Sequence, residues 1–193
     1  PWGGSNAGYY KMKDDPYDLE NPSSIRKSHK IPARPTSSTL NASLKSALLA
    51  AMKDALPGAG LKTDTSAVTI DEFVDIRPHT PRYAAPSRTF TMLRFTAKVT
   101  GTSASADKKA TATVSFDVAT YGKLEGLLGL SINSANNETV SVDKSGDYFV
   151  LSLGRYGHGI GMSQRGAQWM AKQYGKSYGQ ILGFYYDGAT QSR

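Results

Sequence analysis

Residues 110–118, ATATVSFDV, alternate without a break. Ala112, Val114, Phe116 and Val118 share one parity, and Thr111, Thr113, Ser115 and Asp117 share the other. A period of two belongs to a strand with one face on a core and the other in water. Just upstream, TFTMLRFTAKV (89–99) sets Leu93, Phe95, Ala97 and Val99 on one parity. Phe90 and Met92 fall on the other, so either both faces are covered or a bulge intervenes. The polar stretch TGTSASADKK (100–109) between these runs predicts a hairpin. VTIDEFVDI (68–76) reads as a further strand, and two more are expected near 139–143 and 147–153, turned by KSGD.

Helical spacing appears in three places. In LNASLKSALLAAMKDAL (40–56), Leu40, Leu44, Leu48, Met52 and Leu56 recur every fourth residue, Asn41 or a nearby serine can cap the start, and PGAG stops it. YGKLEGLLGL (121–130) predicts a short helix. At the end, Ser163, Ala167, Met170, Ala171 and Tyr174 form one stripe closed by Gly175. Ser177 and Gln180 then make a capping-box pattern ahead of Tyr178, Ile181, Leu182 and Tyr185. Residues 1–36, rich in Pro, Ser, Asp and Tyr, read as an irregular segment laid over a surface. The expectation is α+β: a mainly antiparallel sheet with flanking helices and a C-terminal helical pair. The 193 residues are read as one domain, with 37–60 an inserted helix and 61–193 the sheet plus C-terminal helices.

Apolar residues make up 39% and charged residues 20%, the balance of a globular chain rather than a disordered one. No apolar run approaches the ~20 residues of a membrane span. With no cysteine, disulfides and thiolate metal sites are excluded. The net charge of +7 suits an acidic polymer, an anionic membrane or simple solubility. The basic residues are scattered, with no run interleaved with aromatics, so nucleic acid is not an expected partner. The chain opens on Pro1 in PWGGSNAGYY, which reads like the middle of a protein; a fragment or processed product is expected, with sequence upstream.

RYGHGIGMSQRGAQWM (155–170) crowds glycines, a histidine and a Ser-Gln pair in front of a helix. Glycine admits positive φ and close approach, and Ser163 sits where an N-cap belongs. The product is a polar, tightly turned loop feeding a helix N-terminus. It can present His158, Ser163, Gln164 and free N–H groups to something polar, or Ser163 can merely cap. Neither GxGxxG nor a GK[ST] pattern is present in it, so nucleotide binding is not expected.

GHGIGMSQRGAQWMA followed by SYGQILGFYYDG resembles the C-terminal signature of the sporulation stage II protein D family, also called SpoIID/LytB or amidase-enhancer. APSRTFTMLRF and LEGLLGLSINS are similar to further family segments, and residues 1–19, with their tryptophan and DPYD run, to the segment leading away from the family's active-site half. The resemblance covers most of 80–188 closely and the rest loosely.

That resemblance implies a lytic transglycosylase acting on peptidoglycan glycan strands. One glutamate serves as general acid and then base while the muramic acid C6 hydroxyl closes a 1,6-anhydro ring. The family's catalytic glutamate lies in a Glu-Met segment that this chain does not match, so the acid is expected upstream of Pro1. Glu20, Glu72, Glu125 and Glu138 stand in other contexts. What remains is the substrate-binding half: Tyr156, His158, Gly159, Gly161, Met162, Ser163 and Gln164, with Arg88 and Arg155 facing stem-peptide carboxylates or making surface ion pairs. Tyr9, Tyr10, Tyr156, Trp169, Tyr185 and Tyr186 are candidates for sugar stacking, with a core role for Tyr185 the better fit to its spacing. Some relatives hold zinc near the cleft through cysteine. Here His29, His79 and His158 lie far apart, with His79 in a proline-locked turn, so no metal or other cofactor is expected. Expected partners are peptidoglycan, the upstream segment as a separate chain, and a wall amidase. The location implied is extracellular or wall-associated. The alternative is a non-enzymatic wall-binding or amidase-enhancing module.

Overall fold

The structure, a computed structural model, describes residues 11–155 and 159–188. Along the chain run α1 (Pro16–Glu20), β1 (Arg26–Pro32), α2 (Ala42–Met52), β2 (Thr69–Pro81), β3 (Phe90–Thr102), β4 (Lys109–Ala119), α3 (Glu125–Leu127), β5 (Thr139–Ser145), β6 (Tyr148–Gly154), α4 (Gln164–Tyr174) and α5 (Tyr178–Tyr185). The architecture is α+β, as expected, but the strands divide into two antiparallel sheets, ordered β2-β3-β4 and β1-β6-β5.

The hairpin of β3 and β4 pairs in unbroken register from Met92–Ala119 to Thr102–Lys109. Val114, Phe116 and Val118 point inward beside Leu93, Phe95, Ala97 and Val99. Phe95 stacks on Phe116 with centroids 5.6 Å apart and meets Phe73 edge-on at 5.7 Å. In β2 the buried residues Ile70, Phe73 and Ile76 come every third position, not every second. Register shifts at Ile70/Glu72 and Phe73/Asp75 explain this: each inserts one residue and returns the next apolar side chain to the core. At Phe90 and Met92 the β2–β3 pairing is regular and both side chains are half-buried, so of the two alternatives it is the covered second face that holds there.

α2 lays Leu44, Leu48 and Met52 on the same core, with Leu40 and Leu56 at its flanks. Asn41 caps it by accepting the Leu44 N–H at 2.7 Å. Replacing Asn41 by alanine removes that acceptor; urea denaturation should show a loss of about 1 kcal/mol, the usual worth of an N-cap. The sheets share this core and are joined by Phe73 N–H donating to the Ala33 carbonyl at 2.7 Å and Val140 N–H to the Arg88 carbonyl at 2.9 Å.

Two stretches differ from expectation. Residues 26–32, within the segment expected to be irregular, form β1 and pair along their whole length with β6. RKSHKIP carries one fully buried apolar side chain, Ile31, so it has no alternation to read; its strand character comes from the free edge of β6. RPHTP, expected as a turn, continues β2 to Pro81, with Pro78 opposite Leu93. β2 is an edge strand, where a residue lacking an N–H is tolerated.

α1, α4 and α5 build a second cluster of Met170, Ile181 and Tyr185, flanked by Tyr17, Ala167 and Phe184. Tyr178, expected on this apolar face, is 71% exposed instead. It opens α5, where the chain has not yet turned onto its packing partners. No helix among the described residues is long and apolar enough to cross a membrane.

Candidate functional site

The loop leaving β6 is shaped by its backbone. Arg155 takes positive φ (81°), as do Gly159 (71°) and Gly161 (75°). The Arg155 N–H donates to the Ile25 carbonyl at 3.1 Å, and its guanidinium donates to the Asn137 carbonyl. A Cβ on Gly159 would sit 3.1 Å from Cζ and Nη2 of Arg155, so the guanidinium lies directly beneath that glycine. Among the described residues Arg155 makes no ion pair; its guanidinium props the loop from below. Tyr156 and His158, with Tyr9 and Tyr10, lie outside the described residues.

Beyond the prop the loop turns outward. Gly159, Ile160, Gly161, Met162 and Gln164 are exposed. Ser163 is half-buried and caps α4, accepting the Gly166 N–H at 3.0 Å. The same hydroxyl also bonds the Tyr185 phenol, so both its acceptor and its proton serve the junction of α4 and α5.

The base of α4 is held by α1, a contribution the sequence reading missed. Asp15 accepts the Asp18 N–H at 3.1 Å, capping α1, and its other oxygen accepts the Tyr185 hydroxyl at 2.7 Å. Gly166 lies against both: a Cβ there would collide with the Tyr185 hydroxyl oxygen and stand 2.7 Å from Asp15 Oδ2. Asn21 donates to the Arg165 carbonyl at 2.8 Å, and Tyr174 donates to Glu20 at 2.6 Å. Tyr17 meets Tyr174 and Phe184 edge-on, and Lys11 pairs with Asp187 at 3.0 Å. The signal was legible in outline, since Asp followed by Pro at the first helical position is an N-terminal cap pattern. Its tertiary partner was not.

Burial raises the Asp15 carboxyl above its ordinary 3.8, more than its hydrogen bonds lower it. Burial and the bond to Asp15 push the Tyr185 phenol up as well, so it stays a donor. A raised native value means that the folded state binds the Asp15 proton more tightly than the unfolded state. Its ionisation therefore costs stability at neutral pH, and the cost disappears as pH falls through the native value to below 3.8. Asp15→Asn keeps one acceptor and removes the buried charge. It should be more stable than the parent near pH 7, with the gap closing by about pH 3.5; urea titrations at both pH values check this.

Arg88 donates to Asp14 Oδ1 at 2.6 Å and to the Asp15 carbonyl at 3.4 Å, so the structure places it in an ion pair that ties β3's approach to the α1 segment. Trp169 and Tyr186 are half-buried, and Tyr185 is a core residue. Each of the four glutamates has at least one bonded oxygen, while the second oxygens of Glu125 and Glu138 are buried without a hydrogen-bond partner among the described residues. Glu20 holds Tyr174, Glu72 pairs with Lys98 at 2.9 Å, Glu125 accepts the Gly122 N–H at 3.0 Å, and Glu138 accepts the Asn133 N–H at 3.1 Å. His79 stands 3.0 Å from Thr80 Oγ1 and 3.6 Å from Asp117, itself held in a two-pronged bond by Arg94. No group of three metal-ligating side chains occurs among the described residues.

No protein-family model matches the chain. Two proteins of Bacillus subtilis (strain 168) are similar to it. The amidase enhancer is 43% identical over 68 residues, which are 35% of this chain and 9% of that protein. The stage II sporulation protein D is 41% identical over 63 residues, 33% of this chain and 17% of that protein. The match spans a small part of either relative's length. It is a third of this chain, at an identity that places the chain in a family relationship with SpoIID/LytB proteins, those of sporulation stage II protein D and the amidase enhancer.

Proposed function

We propose that this chain supplies the glycan-binding half of a peptidoglycan lytic transglycosylase, at the outer surface or in the wall of a bacterium. The observation that carries the reading is the exposed turn from Gly159 to Gln164, propped beneath by Arg155 and set on a helix whose base is locked. An exposed turn carrying the Gln164 amide suits sugar hydroxyls and N-acetyl groups, which an amide meets as donor and acceptor. His158 and Gln164 are the contacts proposed on this reading; Ser163 is committed to the junction of α4 and α5. On this reading the general acid comes from residues outside this chain, since none of its four glutamates stands in the family's Glu-Met context.

Joining the chain to a segment carrying the Glu-Met motif should release anhydro-muropeptides from purified sacculi. In a sacculus pulldown, Gln164→Ala should weaken retention about three- to tenfold, the worth of one neutral hydrogen bond. Absence of anhydro products despite an intact upstream glutamate would remove the enzymatic reading.

The name of one relative, amidase enhancer, together with the +7 charge, favours a second reading as a wall-bound activator of an amidase. Retention on sacculi that falls steeply with salt and ignores Gln164→Ala would favour that reading.

A further inference from the structure

We propose that β4 is an interface strand: two copies of this chain pair antiparallel along its free edge and join their β2-β3-β4 sheets into one. The strand is not part of the loop at 159–164, so the proposal does not rest on the reading of that loop.

The outer strands are β1 and β5 in one sheet and β2 and β4 in the other. An open edge is a template for pairing, and folded proteins blunt it with charges, prolines or bulges. β1 carries Arg26, Lys27 and Lys30 and ends on Pro32. β2 has its two register shifts, with Pro78 and Pro81. β5 carries Asp143 and Lys144. β4 has no such guard between its ends. ATATVSF (110–116) holds no charge, proline or glycine, and its register with β3 is unbroken.

The register also fixes which groups face the edge. The Ser103 N–H donates to the Lys108 carbonyl at 2.9 Å, one step beyond the Thr102–Lys109 pair. Antiparallel pairs alternate between bonded and non-bonded. The even-numbered residues of β4 therefore spend their N–H and C=O groups on β3, and Lys109, Thr111, Thr113, Ser115 and Asp117 turn theirs away from it. Thr102, opposite Lys109, shows the same alternation: its carbonyl turns away from β4 and accepts the Lys62 N–H at 2.8 Å. No hydrogen bond from outside β3 reaches the backbone of 109–119 among the described residues. α2 backs the strand from the core side through Leu44, Leu48 and Met52, while Lys109, Thr111, Thr113 and Ser115 are exposed.

The edge is complementary to itself, which commits it to a second copy. Two antiparallel strands centred on Thr113 set Thr113 opposite Thr113, Thr111 opposite Ser115 and Lys109 opposite Asp117. Lys109 makes no ion pair among the described residues, and Arg94 holds the Asp117 carboxylate in place. The Lys109–Asp117 contact then occurs on both sides of a two-fold axis, as an isologous interface requires. Centring on Val114 instead would put Lys109 opposite Ala119 and Asp117 opposite Thr111, so both ion pairs would be lost. Charge therefore sets the register. On the core side, Ala112 meets Val114 and Ala110 meets Phe116, small against large in each case.

Sedimentation equilibrium of the whole chain should show a monomer–dimer equilibrium. Thr113→Pro deletes an edge N–H in each copy and touches no bond to β3, so dimerisation should weaken about tenfold or more. Thr113→Glu should weaken it as well, by setting two carboxylates face to face. In the monomer the new carboxylate lies opposite Lys98 on β3, so this variant folds even if the proline does not. The chain has no cysteine, so Thr113→Cys supplies a single thiol. Opposed residues of a bonded pair have Cα atoms about 5.5 Å apart, within the roughly 4.4–6.8 Å that a disulfide spans. Mild oxidation should therefore link two copies of Thr113→Cys, and far more slowly two copies of Val74→Cys, which is exposed on β2. A chain that stays monomeric up to about 1 mM, or a dimer indifferent to both Thr113→Pro and Thr113→Glu, overturns the proposal. A dimer that Thr113→Cys fails to link overturns the pairing centred on Thr113.

Discussion

Gly166→Ala should loosen the α1–α4–α5 junction while leaving both sheets intact. Gly166 is helical, so the added methyl costs nothing in backbone strain and slightly favours the helix. The penalty is space. The new Cβ would collide with the Tyr185 hydroxyl and stand 2.7 Å from Asp15 Oδ2, so the bond between those two groups must break or the helices must part. Overpacking of this kind costs about 1–3 kcal/mol, and losing a hydrogen bond to a carboxylate adds about 1.5–3 kcal/mol. Hydrogen exchange should rise in residues 11–24 and 164–186 and stay low in β3 and β4. Tyr185→Phe in the same chain removes the oxygen that collides, so the double variant should recover part of the loss. A double variant as unstable as Gly166→Ala alone would place the clash elsewhere. On the proposed glycan-binding role, loss of retention on sacculi should follow, because the base of α4 would no longer hold the loop above it.

Phe95→Ala should be the most damaging single truncation in the sheets. Phe95 is fully buried in the middle of β3, stacked on Phe116 and edge-on to Phe73. Removing a buried aromatic costs about 3–5 kcal/mol from lost transfer energy and an unfilled cavity. In a chain of this size that lowers Tm by about 6–20 °C. Thermal unfolding followed by circular dichroism reads this directly. The two variants probe separate clusters. Phe95→Ala should lower the global transition, whereas Gly166→Ala should produce local opening first, since the small second cluster buries far fewer apolar side chains.

The site was legible where its signals are local. Ser163 as a cap, the Ser177–Gln180 box and the positive-φ glycines all follow from residues within four positions of one another. Arg155 was not legible, because nothing in RYGHG says that a guanidinium will fold under Gly159 and reach the Asn137 carbonyl. Arg88 had two readings in the sequence. Its partner Asp14 lies 74 positions away by subtraction (88 − 14), beyond any spacing rule.

By itself the sequence determined the α2 stripe, the β3–β4 hairpin, both C-terminal helices and the family relationship, because each rests on short-range periodicity or on a contiguous motif. Tertiary structure alone decided that the strands form two sheets, that RKSHKIP becomes a strand, that β2 carries bulges, and that Asp15 anchors α4 through Tyr185. Those outcomes depend on which partner edge or hydroxyl is available in space. Chain neighbours carry no record of that, because hydrogen-bonding groups are satisfied by whatever the fold brings beside them.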